Sequence, residues 1–159
     1  MTEHDLSAGP TLALLLLGAW RRLVDEAVAE LAEKGFDDVR PAHDFAMRAI
    51  DSGADTASDL GRRMAVTKQA AAKVIDTLLT RGYVVRDQDP DDARRKRLSI
   101  TPLGATVMSE GEQIFDGLRA RLEAQVGAEQ FRAFEETLRA LVGDHPVRPD
   151  APGWVAHSD

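Results

Sequence analysis

The chain has 159 residues, 43% hydrophobic and 30% charged, enough for one domain with a real core and accessory helices. It contains no cysteine, which excludes disulfides, thiolate metal sites and thiol-based redox sensing and fits a reducing cytoplasm. Its formal charge of −7 argues at first against a nucleic-acid partner, because such binding is driven largely by phosphate neutralisation.

Residues 1–10 are polar and expected to be loosely ordered. Helical periodicity then runs from Thr11 to Lys34 and closes at Gly35. Leu12, Leu16, Trp20, Leu23, Ala27 and Leu31 form one apolar stripe, widened by Leu15, Leu17 and Val24. A face this broad needs more cover than a small domain supplies, so part of it is expected to meet a second subunit. The run Leu12 to Leu17 is too short to span a membrane and lacks the basic leader and cleavage site of a signal peptide. No membrane partner is expected, and the location is read as cytoplasmic.

Pro41 suits a first helical turn, and the segment to Ser52 follows with Phe45, Ala49 and Ile50 inward. The stretch SGADTAS breaks the pattern. Thr56 or Ser58 can then cap a short helix, Ala57 to Met64, buried through Leu60 and Met64. Ala65 and Val66 form a tight turn, and Thr67 caps the next helix or sits in its first turn. This helix, TKQAAAKVIDTLLTRG, places Ala71, Val74, Ile75 and Leu78 on one side and Gln69, Ala72, Lys73 and Asp76 on the other. An amide, a small residue and a cation near the helix start suit a helix entering a DNA major groove. Two short strands, Tyr83 to Arg86 and Arg97 to Ile100, flank the loop DPDDARRK as a basic wing. Thr101 and Pro102 open a third long helix to about Gly127, with Val107, Ile114, Phe115, Leu118, Leu122 and Val126 apolar. A last helix, Ala128 to Val142, carries Phe131, Phe134, Leu138 and Leu141. The proline-bearing stretch 143–159 has no periodicity and reads as an irregular tail.

The distribution of charge reverses the inference drawn from the total. From Gly61 to Leu103 there are ten Lys/Arg and five Asp/Glu, against 10 and 22 in the rest of the chain. A local +5 on an otherwise acidic body is compatible with DNA binding at one face. The fold class is therefore mainly α: a winged helix-turn-helix module over 41–101 with a small β-hairpin wing. Long helices over 11–34 and 102–142 flank it, and all 159 residues form one domain.

The order of elements resembles the MarR family of bacterial transcription regulators. The resemblance is carried by Asp59-Leu60, Thr67-Lys68-Gln69, Leu78 to Val84 (LLTRGYV) and Asp89 to Gly104 (DPDDARRKRLSITPLG). The last is the specific part: Asp92-x-Arg94, then Leu98-x-Ile100-Thr101-x-x-Gly104. The resemblance covers roughly Leu12 to Val142. It implies a homodimer joined through dimerisation helices over 11–34 and 102–142, with one reading head per subunit, acting as a repressor on a pseudo-palindromic operator in double-stranded DNA. Thr67, Lys68, Gln69 and Lys73 would sit in the major groove or on its flanking phosphates. Arg94 would enter the minor groove, oriented by Asp92. Arg95 and Lys96 would add nonspecific affinity, and Arg62 and Arg63 would touch phosphate. Chemically, Gln69 suits an adenine edge, whereas Lys68 and Lys73 suit phosphate. The resemblance also implies release by a small aromatic ligand between the dimer helices and the reading head, in the regions of Trp20, His43, Phe45 and Arg48.

No enzymatic constellation is legible: there is no phosphate-binding glycine loop, nucleophile elbow or His-Glu-x-x-His helix. No catalytic residue, metal site or cofactor is expected. His4, His43, His145 and His157 lie far apart in sequence, although His43 and Asp44 are adjacent. The competing reading is a winged-helix dimerisation or protein-interaction module that does not read DNA.

Overall fold

The computed structural model describes residues 8–89 and 96–143. The described chain runs α1 (Ala8–Glu33), α2 (Pro41–Asp51), α3 (Ala57–Met64), α4 (Lys68–Thr80), β1 (Val84–Gln88), β2 (Lys96–Ile100), α5 (Pro102–Val126) and α6 (Ala128–Val142). The expected tail beyond Gly143 lies outside the described residues.

Threonine sets the start of three helices. The hydroxyls of Thr56, Thr67 and Thr101 accept the amides of Asp59, Ala70 and Gly104 at 3.1, 3.1 and 3.0 Å. Each satisfies an amide that the first helical turn leaves without a partner. Between α3 and α4 the chain turns through Ala65, which adopts a left-handed conformation at φ 54°, ψ 38°. Gly61 fits against this turn, since a Cβ there would stand 3.0 Å from the Val66 carbonyl oxygen.

The short α2 is the hub, packing on α3, α4, α5 and β2. Its inward face is Ala42, Ala46, Met47 and Ile50. This corrects the expected inward set: Ile50 is buried, whereas Phe45 and Ala49 are half-buried at the core's edge. The long helices α1, α5 and α6 pack together on one side of this core. Two ion pairs tie α1 and the residue after it to α5, Lys34–Glu110 at 2.6 Å and Arg121–Glu30 at 2.5 Å. The broad stripe of α1 is buried only toward its C-terminal end, at Ala27 and Leu31. Leu12 and Leu15 remain 55% and 65% exposed, and Phe134 and Leu141 of α6 are 50% and 63% exposed.

The two strands pair antiparallel from Val84↔Ile100 to Gln88↔Lys96. Val84 and Leu98 are buried at the root of the wing. Among the described residues, no helix is long and apolar enough to cross a membrane.

Candidate nucleic-acid interface

The reading helix α4 is fastened by its inner face. Ala71, Ile75 and Leu78 are buried, and Val74 is half-buried against the core. Thr67, Lys68, Gln69, Lys73 and Asp76 are exposed, with Ala72 half-buried among them. One side of the helix is thus rigidly packed, and the other presents two ammonium groups and an amide within its first two turns.

The exposed wing adds Arg86, Lys96 and Arg97. Lys96 stands opposite Gln88, and Arg97 opposite Asp87. Arg86 escapes sequence reasoning, because nothing in its local pattern separates it from a solvated strand residue. The expected wing-tip contacts Asp92, Arg94 and Arg95 lie outside the described residues.

Arg62 and Arg63 are both engaged within the chain. Arg62 pairs with Asp59 while staying largely exposed. Arg63 lies 3.4 Å from Asp59 and donates to the carbonyl and hydroxyl of Ser52 at 3.1 and 3.2 Å. Arg63 therefore joins α3 to the end of α2.

A polar joint holds α4 and the wing to the body. Arg81 ends α4, and Gly82 follows at φ 72°, a left-handed value at which a side chain is strained. The Arg81 guanidinium reaches Asp38 in the α1–α2 connection twice, at the carboxylate (2.9 Å) and at the carbonyl (2.6 Å). The buried Tyr83 donates its hydroxyl to the same carboxylate at 2.9 Å. Burial, then the hydrogen bond to Asp38, pushes the Tyr83 phenol up to about 12. On the other side of the turn, Thr101 donates its amide to the Tyr83 carbonyl (3.1 Å) and its hydroxyl to the Gly82 carbonyl (2.6 Å). Gly104 packs directly on the Tyr83 main chain.

The residues expected near an effector do not gather at one place within a chain. Trp20 lines an apolar groove of about 570 Å³ between α1, α5 and α6. His43 belongs to the joint, where its Nδ1 accepts the Arg40 amide at 3.1 Å and lies 3.3 Å from the Arg81 guanidinium. Burial, then Arg81, pushes the imidazole down to about 4, so the ring is neutral. Phe45 is at the edge of the core. Of the four, Arg48 lines an open, polar cleft of about 570 Å³ between α2 and α5, with Met108, Pro102, Ile100 and Glu112. Its Nε donates to Asp44 at 2.8 Å. Asp44 is therefore Arg48's partner rather than His43's. Among the described residues, no group of three or more His, Asp or Glu side chains is placed to hold a metal ion.

A short helix, a tight turn, a capped reading helix with an exposed polar face and a two-stranded basic wing define a winged helix-turn-helix protein. Residues 41–95 match the family model described as MarR family. A Bacillus subtilis (strain 168) protein described as the uncharacterized HTH-type transcriptional regulator YcgE is 36% identical over 56 residues. That match spans 35% of this chain and 35% of the relative, about a third of its length. The fold is shared with the transcriptional repressor CouR bound to a 23-mer DNA duplex, at TM-score 0.67 and 18% identity, covering 89% of this chain and 100% of that one. It is also shared with the Mycobacterium tuberculosis MarR family protein Rv2887 in complex with p-aminosalicylic acid. There the TM-score is 0.61 and the identity 25%, covering 83% of this chain and 98% of that one.

Proposed function

We propose that this protein is a homodimeric, sequence-specific DNA-binding transcription regulator acting as a repressor at an inverted-repeat operator. The observation that carries the reading is the α4 face, where Lys68, Gln69 and Lys73 are exposed together beside a basic wing in a chain of charge −7. A cationic patch confined to one face of an acidic protein suits phosphate recognition there and keeps the body away from DNA. Gln69 reads a base edge, and Lys68, Lys73 and Lys96 contact phosphate. Arg94 inserts in the minor groove with Asp92 beside it, and Arg95 strengthens binding without specifying sequence. Arg62 stands ready as a further phosphate contact, whereas Arg63 serves chiefly to hold α3.

The dimer forms through the exposed apolar residues of α1 and α6, which a second copy covers. An isologous interface would place two reading helices in successive major grooves, about one helical turn apart. Effector release involves a small aromatic ligand in the α2–α5 cleft beside Arg48. The complex of Rv2887 with p-aminosalicylic acid supports this class of ligand.

Selection of bound sequences from random DNA should yield an inverted repeat. On that site Arg94→Ala should weaken binding at least tenfold in gel shift with the dimer intact. Gln69→Ala should cost about 1–3 kcal/mol at one base pair and much less elsewhere. Selection that enriches no sequence would refute the reading and favour a protein-interaction module.

A further inference from the structure

The joint between Asp38, Arg81 and Tyr83 sits where four parts of the fold meet. Arg81 caps the C-terminal end of the reading helix, and Tyr83 immediately precedes β1 of the wing. Asp38 belongs to the connection that leaves α1, and Thr101 to the start of α5. One carboxylate therefore takes both sides of the turn between reading helix and wing, through Oδ2 to Arg81 and Oδ1 to Tyr83, each at 2.9 Å. The main packing contacts of α4 are with α2, α3 and β1, and not with the long helices. The Arg81 and Tyr83 bonds thus form a direct polar link from the reading helix and wing to the chain leaving α1.

This link contributes orientation more than stability. The Arg81 and Asp38 side chains remain 30% and 35% exposed, where an ion pair adds little to folding free energy. A guanidinium held at the carboxylate and at the main-chain carbonyl, with a buried phenol on the second carboxylate oxygen, fixes direction closely.

We propose that Asp38 is a positioning residue: with Arg81 and Tyr83 it sets the angle of the reading head on the long helices, and thereby the half-site separation that a dimer accepts. The inference rests on the dimeric DNA-binding function proposed above. A dimer with stiff heads has one separation at which both bind without distortion. Shifting a half-site by one base pair moves it about 3.4 Å along the axis and turns it about the helix, so stiff heads cannot follow. A head released at this joint can follow, but loses the advantage of being pre-set for the correct site.

The test uses the full-length protein and the duplex that wild type selects from random DNA. That duplex is compared with versions carrying one base pair more or fewer between half-sites, and with a single half-site. Wild type should bind the selected duplex at least tenfold tighter than either altered one. Asp38→Asn and Tyr83→Phe should each reduce that ratio below about threefold while changing half-site affinity less than twofold, with thermal midpoint and dimer mass retained. Tyr83→Phe removes only the hydroxyl and provides the result if Asp38→Asn folds poorly. Retained spacing discrimination in a folded Tyr83→Phe dimer would overturn the proposal. So would equal losses on full-site and half-site duplexes, which signal general loosening. If wild type selects no sequence, the DNA-binding reading fails and this inference with it. If wild type selects one and the variants keep its spacing, the inference fails alone.

Discussion

Gly104 is the position where one added methyl group tests the architecture most severely. A Cβ built there would lie 2.1 Å from the Tyr83 carbonyl oxygen and 3.0 Å from its carbonyl carbon. Carbon–oxygen contacts settle near about 3.3–3.6 Å, so the first turn of α5 would have to retreat by about 1 Å or more. The obstacle is main chain, which cannot swing aside. Retreat strains two hydrogen bonds from Thr101, to Tyr83 at 3.1 Å and to Gly82 at 2.6 Å. Each contributes about 1 kcal/mol, and overpacking adds about 1–3 kcal/mol. Against this stands the gain of about 1 kcal/mol when alanine replaces glycine in a helix. Gly104→Ala should therefore destabilise by about 2–4 kcal/mol. For a protein of this size that lowers the thermal midpoint by roughly 5–15 °C. Gly117→Ala in the same helix is the control, since its nearest neighbour is a flexible Arg121 nitrogen at 3.7 Å. It should be neutral or stabilising by up to about 1 kcal/mol. The assay is thermal unfolding by circular dichroism at one protein concentration for both variants. A Gly104→Ala protein as stable as Gly117→Ala would refute the close packing of α5 on the wing root.

Ala65 holds a left-handed conformation that glycine adopts without strain, so Ala65→Gly should stabilise by roughly 0.5–1 kcal/mol in urea unfolding. A loss of stability would show that the turn is not strained at this residue. If the proposed dimer forms through α1, Leu15→Glu, at a leucine 65% exposed, should leave the protein monomeric by light scattering at micromolar concentration. A fully dimeric variant would move the interface elsewhere. His43 prefers its neutral form in the fold, about 4 against an ordinary 6.5. Its contribution is therefore complete above the unfolded value and lost as pH falls from about 6.5 toward 4. With screening of the half-exposed ring, the loss should reach ~1–2 kcal/mol, part of it between about pH 7 and 5. His43→Gln should flatten that part of the pH profile. An imidazole titrating near 6.5 by NMR in the folded protein would contradict this.

Much of the module is legible in the sequence because local chemistry decides it. Thr56, Thr67 and Thr101 each carry a cap that depends only on nearby residues, and the inner face of α4 follows from helical spacing. The inner face of α2 departs from expectation because size alone favours the large Phe45. The hub of the fold instead uses the small Ala42 and Ala46, which let neighbouring elements approach closely. Arg62 and Arg63 read as phosphate contacts, yet Asp59, three and four residues earlier, engages both. That pairing is accessible from helix spacing alone. The joint is not, because Arg81 and Tyr83 meet Asp38 across 43 and 45 residues of chain. Gly104 stands in the motif that suggests a family, but its reason, a carbonyl against its α-carbon, exists only in three dimensions.

The proposed DNA binding rests on the basic face of α4 and the wing neutralising phosphates. The most direct measurement is the affinity for the selected duplex as a function of salt. If Lys68, Lys73 and Lys96 each neutralise a phosphate in both subunits, the logarithm of affinity should fall against the logarithm of salt with a slope of about −5, steeper where Arg95 and Arg62 add contacts. Lys73→Ala should make the slope shallower by about 2, one contact per head. A slope shallower than about −2 for wild type, or one unmoved by Lys73→Ala, would show that this face does not neutralise phosphates.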